Sequence, residues 1–236
     1  MVIRNSALVV TGPATGAVSA TIGRMERLHR VIGPISTNVH VLADPRTREA
    51  IAIDTATPSL AWIADELAAR DWTLKVIVSS HGHWDHIGDN AAVAEHTGAD
   101  IAVHPLDRDR LTDPKSQSAP FDIPPSVPAV DLAERGEVRF GEIRLRVLHT
   151  PGHTEGSVCL YEPDTGLLYS GDTLFAGGWG RVDLPGGDPE AMVASLARLL
   201  DLEDRVQVFP GHGSATTIAR ERPWLELVRD QGRLLA

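Results

Sequence analysis

The chain has 236 residues, 42% of them hydrophobic, which is enough for one large core, and it carries a formal net charge of −10. That acidity argues against nucleic acid as a partner, because phosphate recognition needs clustered Lys and Arg, and no apolar run approaches the ~20 residues of a membrane span. A single cysteine, Cys159, cannot form an intrachain disulfide.

Residues 1–25, rich in Gly, Ala, Thr and Ser, read as a loose lead-in or an extra edge strand, and residues 26–236 as a single domain. Gly12-Pro13 interrupts the short apolar patch Ala7–Val10, so no export signal is expected and the protein is placed in the cytoplasm. Asn38–Leu42 and Ala50–Asp54 read as strands joined by the turn Asp44-Pro45-Arg46-Thr47. Thr57-Pro58 reads as an N-cap and first helical residue, followed by an apolar stripe at Leu60, Ile63 and Leu67. A strand over Lys75–Ser79, a short helix over Asp89–His96 closed by Gly98, and a strand at Ile101–Val103 come next. Residues 105–137 hold six prolines (Pro105, Pro114, Pro120, Pro124, Pro125 and Pro128) and should be irregular, either a rim or lid over a site or a surface loop.

In the second half, Ile143, Leu145 and Val147 alternate with Arg144 and Arg146, as in a strand with one wet face. Ser157–Tyr161 and Leu167–Tyr169 form a pair around the turn Asp164-Thr165-Gly166, with Cys159 read as a buried, inert thiol. Asp188-Pro189 opens a helix with a stripe at Met192, Leu196 and Leu199; Val206–Phe209 is a last strand, and a short helix follows Pro223. The order of elements, strands then helix, occurs twice, which suits two sheets with helices outside them.

The chemistry is concentrated in His81-Gly82-His83-Trp84-Asp85-His86, four candidate ligands in six residues just beyond a strand. One loop of this kind can feed two neighbouring cations, a His pair for one and an Asp/His pair for the other. Three further strands end in loops holding His153, Asp172 and His212, with glycines at Gly152, Gly171, Gly211 and Gly213 that permit sharp turns. Five His and two Asp are too many for one tetrahedral zinc. They suit two cations about 3.5–4 Å apart, bridged by a carboxylate and a hydroxide, an arrangement that performs hydrolysis. Imidazole and carboxylate accept zinc, iron or manganese. His29, His40, His96 and His104 lack this framing and read as structural or exposed, whereas His149 sits just before a ligand loop and could lean on the site from behind.

The motifs His81–His86, Thr150-Pro151-Gly152-His153-Thr154, Ser170-Gly171-Asp172 and Pro210-Gly211-His212, in this order, resemble those of the metallo-β-lactamase superfamily over residues 34–215. The resemblance implies an α/β (α+β, four-layer) αββα sandwich, two mixed β-sheets with helices on the outer faces and metals at one edge. It also implies that one metal takes His81, His83 and His153 and the other Asp85, His86 and His212, with Asp172 bridging, and that Asp54 supports the ligand loop from behind. Trp84, Thr173-Leu174-Phe175 and Gly180–Asp188 are similar to glyoxalase II and its shorter relatives, and persulfide dioxygenases share part of the last segment.

By this resemblance the protein is expected to be a dinuclear hydrolase, most naturally of zinc with iron or manganese as alternatives, cleaving a small-molecule thioester of the 2-hydroxyacylglutathione type by means of a metal-bridging hydroxide. Asp85 or Asp172 would steer the hydroxide proton, and Trp179, Phe175 and Arg181 are candidate pocket residues, Arg181 more as a brace for its own loop. The alternatives are a persulfide dioxygenase with one iron at His81, His153 and Asp172, or a lactone, ester or β-lactam hydrolase. Only 24 residues follow His212, so no C-terminal glutathione-gripping helical domain is expected. Neither membrane nor nucleic acid is an expected partner, and the protein should be a monomer or homodimer.

Overall fold

In the computed structural model, residues 18–22, 24–133 and 136–235 are described. The reading of residues 1–17 falls outside them.

The first sheet has seven strands in sequential order: β1 (Val18–Ile22), β2 (Met25–Ile32), β3 (Thr37–Asp44), β4 (Glu49–Ile53), β5 (Thr73–Val78), β6 (Asp100–Val103) and β7 (Val130–Asp131). Pairing is antiparallel from β1 to β4 and parallel from β4 to β7. The parallel half is built by crossovers through helix α1 (Leu60–Arg70), then through the one-turn helix α2 (Trp84–Ile87) and α3 (Asn90–Thr97). A further short helix, α4 (Arg108–Thr112), lies in the proline-rich segment before β7.

The second sheet runs β13-β12-β11-β10-β9-β8, from β8 (Glu137–Phe140), β9 (Ile143–His149), β10 (Val158–Glu162), β11 (Leu167–Gly171), β12 (Gln207–Pro210) and β13 (Thr216–Thr217). Only β11 and β12 pair in parallel, and α5 (Pro189–Arg198) connects them. Helix α6 (Ile218–Gln231) follows β13.

Period-two alternation sorts the side chains into layers. Leu42, Ile51 and Ile53 of the first sheet meet Leu145, Val147, Leu160 and Tyr169 of the second in an inner core. Their neighbours Val41, Ala50 and Ala52 face the other way, onto Trp62, Ile63 and Leu67 of α1 and Val93 of α3. Cys159, Leu168 and Val208 pack outward on Met192 and Leu196 of α5 and Leu225 and Val228 of α6. The result is an αββα sandwich of two mixed sheets. Arg144 and Arg146 are exposed between buried Ile143, Leu145 and Val147, as their alternation requires. Burial also raises the Cys159 thiol to about 11, which keeps it protonated at neutral pH.

Several boundaries differ from the sequence expectations. β2, β8 and β13 carry no run long or alternating enough to stand out alone, and they form by pairing with stronger neighbours. Helix α1 starts at Leu60 rather than Pro58 because its cap comes from elsewhere in the chain. Asp89 Oδ2 accepts from the backbone N–H groups of Ser59 (2.6 Å) and Leu60 (2.8 Å), and Asp89 Oδ1 from the Thr57 hydroxyl (2.6 Å). Helix α6 begins at Ile218, capped by Thr217, and contains Pro223 rather than starting after it. At α5 the expected cap is present: Asp188 Oδ1 accepts from Glu190 N and Ala191 N, with Pro189 at the first position.

Asp89→Ala removes four hydrogen bonds to a buried carboxylate, two of them from backbone N–H groups at the start of the helix. It should lower the unfolding free energy by about 2 kcal/mol in urea titrations followed by circular dichroism; a loss below about 0.5 kcal/mol would show that α1 does not depend on this remote cap.

Candidate metal centre

Five strands deliver the site at one edge of the sandwich. β4 ends next to Asp54, β5 leads to His81–His86, β9 to His153, β11 to Asp172 and β12 to His212. All seven sequence-predicted ligands converge. The donor atoms of His81, His83 and His153 lie within 4.8 Å of one another, as do those of Asp85, His86 and His212, and those of His81, His86 and Asp172. Asp172 sits between the two triads: its Oδ2 is 3.5 Å from both His153 Nε2 and His212 Nε2, and its Oδ1 is 3.6 Å from His86 Nε2.

Hydrogen bonds at the outer nitrogens decide which inner nitrogen each ring offers. His86 Nδ1 lies 2.9 Å from Asp54 Oδ2; a carboxylate only accepts, so Nδ1 carries a proton and Nε2 is the atom turned to the site. Asp54 also accepts from Ser80 N (2.7 Å) and Ser80 Oγ (2.8 Å). The Ser80 hydroxyl proton is thereby used, so His81 Nδ1, at 3.1 Å from Ser80 Oγ, must donate. His153 Nδ1 donates to the Arg181 carbonyl (2.7 Å), and His212 Nδ1 to the Ser36 carbonyl (3.3 Å). Four rings therefore present Nε2 inward, while His83 presents Nδ1, 2.8 Å from His153 Nε2. Asp54 holds its place in a left-handed conformation (φ 58°), which Asp tolerates better than most residues.

The charges split the same way. Burial and the surrounding imidazoles push His81 well below its ordinary value and His83 down to about 3, and burial lowers His153 despite the pull of Asp172. These rings are neutral at pH 7 and free to ligate. Burial opposes charge on His86 and His212 too, but Asp85 and Asp172, with Asp54 beside His86, outweigh it and hold both above the usual imidazole range. Burial would likewise raise Asp85, yet His86 and His212 hold it well below the usual carboxylate range. This half of the site demands positive charge. Among the described residues, His81 Nε2 and Asp172 Oδ1 are buried with no hydrogen-bond partner. Lone pairs aimed together, two orphaned atoms and an excess of carboxylate all fit divalent cations.

Residues 32–212 match the family model of the metallo-β-lactamase superfamily. The chain belongs to that superfamily. It is 37% identical over 195 residues to an uncharacterised protein of Aquifex aeolicus, spanning 81% of this chain and 91% of that one. It is 33% identical over 206 residues to a hydroxyacylglutathione hydrolase of Thermosynechococcus vestitus, spanning 84% and 75%. Among solved structures, the B3 metallo-β-lactamase BLEG-1 superposes with a TM-score of 0.75 at 34% identity (84% of this chain, 99% of that one). TTHA1623 in a di-iron-bound form superposes at 0.73 and 34% (82% and 96%), and ETHE1 from Myxococcus xanthus at 0.72 and 28% (86% and 84%).

In this superfamily member the triads open onto a cavity of about 790 Å³. Ile35, Trp84, Phe175, Leu184 and Pro185 supply apolar wall; Arg110, Gln117 and Arg181 supply polar wall. Phe175 and Arg181 line the cavity, and the Arg181 guanidinium is held by both carboxylate oxygens of Asp183 (2.7 and 2.8 Å). Trp179 is a correction. Its ring packs on Trp224 of α6, 5.6 Å between centroids, and takes no part in the cavity wall. The bulk that suggested a pocket wall instead seals the outer face of the second sheet. His29, His40, His96 and His104 stay out of the cluster, and His149 stacks on His104 at 4.0 Å while its Nε2 meets the Glu155 carbonyl.

Sequence reasoning missed the residues that hold the ligand loops. The proline-rich segment is a brace as well as a rim. Buried Asp107 accepts from Gly82 N (2.7 Å), Thr154 Oγ1 (2.7 Å) and Gly156 N (3.0 Å), joining the first two ligand loops. Gln117 donates to Gly82 O and accepts from Trp84 N, both at 2.8 Å. Asp107 lies four residues beyond β6, so the strand-end rule that found the ligands applied to it as well.

Gly211 is required by close approach: a Cβ there would overlap Asp172 Oδ1 and lie 2.8 Å from His86 Cε1. Gly211→Ala should displace one or both groups and weaken metal retention by about tenfold or more, read as metal per chain after dialysis against a chelator. Unchanged retention would mean that the loop relaxes at little cost.

Proposed function

We propose that this protein is a metal-dependent hydrolase of small-molecule thioesters, with two divalent cations held by His81, His83 and His153 and by Asp85, His86 and His212, and with Asp172 between them. The observation that carries this reading is the pair of inward-facing triads joined by one carboxylate. Bound cations at these positions supply a water acidified toward pKa ~7 and a positive clamp for oxyanion charge. The donor set is imidazole and carboxylate only, a choice that suits zinc and also admits iron or manganese.

The chain's own residues account for the remaining requirements. Asp85 Oδ2 lies 3.1 Å from both His86 Nε2 and His212 Nε2 and accepts from Thr37 Oγ1 (3.2 Å). Asp85 faces His86 and His212 and Asp172 reaches both triads, so their carboxylate oxygens are the ones placed to orient a proton at the site. The apolar wall of Ile35, Trp84, Phe175 and Leu184 suits a compact acyl chain and limits water access from that side. A thiolate leaves readily, so no separate general acid is needed. Support for a thioester comes from the hydroxyacylglutathione hydrolase relative; the likeness to BLEG-1 keeps β-lactams in view.

The test combines metal analysis with a screen of thioesters, S-lactoylglutathione first, alongside lactones and a β-lactam. About two cations per chain with thioester turnover is the expected result. His81→Ala and His83→Ala should lose metal and lower kcat/KM by about 10³-fold or more, and full turnover in either would sink the proposal. A single iron with oxygen uptake on a persulfide would instead assign dioxygenation at His81, His153 and Asp172.

A further inference from the structure

Two groups of outer hydrogen bonds come from different parts of the chain, and Asp54, which holds both Ser80 and His86, lies between them. Asp107 and Gln117 serve the loops of His81, His83 and His153, Gln117 also accepting from Trp84 N at the start of α2. The other triad is served from the opposite direction, by residues 36–38 at the start of β3. Ser36 O accepts from His212 Nδ1, Thr37 Oγ1 donates to Asp85 Oδ2, and Thr37 bridges His212 through the backbone. Asn38, 4% exposed, grips the whole 210–213 turn: its Nδ2 donates to Pro210 O and Gly213 O (both 2.9 Å) and its backbone N to Gly211 O (2.7 Å). Its Oδ1 meets His29 Nε2 at 2.8 Å, which fixes the amide's orientation. None of the described hydrogen bonds from residues 36–38 reaches His81, His83 or His153.

We infer that Asn38 is a positioning residue for the His212 side of the Asp85–His86–His212 position, so that its loss weakens the second cation position more than the first. This rests on the two-cation reading above. The second position is also more open on its His212 side: the His212 side chain is 23% exposed, against 4% for His153 in the first position. With less burial to hold His212, its loop depends more on being pinned. No other residue type of this size supplies two donors and one acceptor at these points. Aspartate has no proton to give either carbonyl, and alanine leaves Pro210 O and Gly213 O without their partner.

The experiment measures zinc per chain and stepwise affinity by competition with a chromophoric chelator, on wild type, Asn38→Ala and Asp107→Asn. Crystals of the zinc-loaded variants show by anomalous scattering which position is filled. In Asn38→Ala the Asp85–His86–His212 position should weaken by at least about tenfold while the other keeps its affinity, and Asp107→Asn should show the reverse bias. If Asn38→Ala folds poorly, His29→Ala, which releases Asn38 Oδ1 and the stacking on His40 but touches no ligand, should show the same split at smaller amplitude, and His29→Gln should restore it. Equal weakening of both positions, or of neither, in the Asn38 and His29 variants overturns the inference while leaving the hydrolase reading intact. A wild-type chain that never holds more than one cation overturns the two-cation reading and this inference with it.

Discussion

The site depends on where five imidazoles keep their protons. A ring can offer a lone pair inward only if its other nitrogen has an acceptor outward, and the fold supplies one for four of the five rings: Asp54 for His86, Ser80 for His81, the Arg181 carbonyl for His153 and the Ser36 carbonyl for His212. Three of these acceptors have their own position fixed by the sheets. Asp54 follows β4 directly, Ser80 follows β5 and is bonded to Asp54, and Ser36 immediately precedes β3. The sandwich therefore does more than bring ligands together. It gives four of the five rings an outward acceptor for their Nδ1–H, which lowers the reorganisation cost of binding a cation at Nε2.

Such an arrangement is unfavourable by itself. Lone pairs face lone pairs, as at His83 Nδ1 and His153 Nε2, and buried atoms are left without partners; each unsatisfied polar group costs roughly 1–3 kcal/mol. The three apolar layers carry that burden. They are continuous on both faces of both sheets, while the polar cluster is confined to the edge where strand ends and loops meet. Placing the strain at the edge keeps the unsatisfied groups next to the cavity through which a cation can reach them.

Much of this was legible in the sequence, because ligands are rare residue types in dense or glycine-framed motifs. The strands that deliver them also have strong periodicity: β5, β9 and β11 were found close to their true bounds, and all seven ligands converge. The elements that were missed lack an intrinsic signal. β2 and β8 are defined by what they pair with, and α1 takes its cap from Asp89, about thirty positions away, so no local rule could place its first turn. Trp179 faces α6 because Trp224 lies there, a direction that nothing in its own residue type carries. Asp107 sits four residues beyond β6, where the strand-end rule reaches it, but Asn38 and Gln117 are hidden for a related reason. Each acts on backbone groups of a remote loop, and backbone groups leave no trace in residue identity. Asn38 also lies at the beginning of an antiparallel strand, which the rule of looking beyond strand C-termini does not cover.

The lone thiol of this chain packs among Leu168, Met192 and Leu196 on the far side of the second sheet, and every donor in the two triads is nitrogen or oxygen. Oxidants that disable metalloproteins by attacking ligating sulfur have no such target here. Cations held only by nitrogen and oxygen donors are instead open to competition, by protons for the rings and by other divalent metals for the same donors.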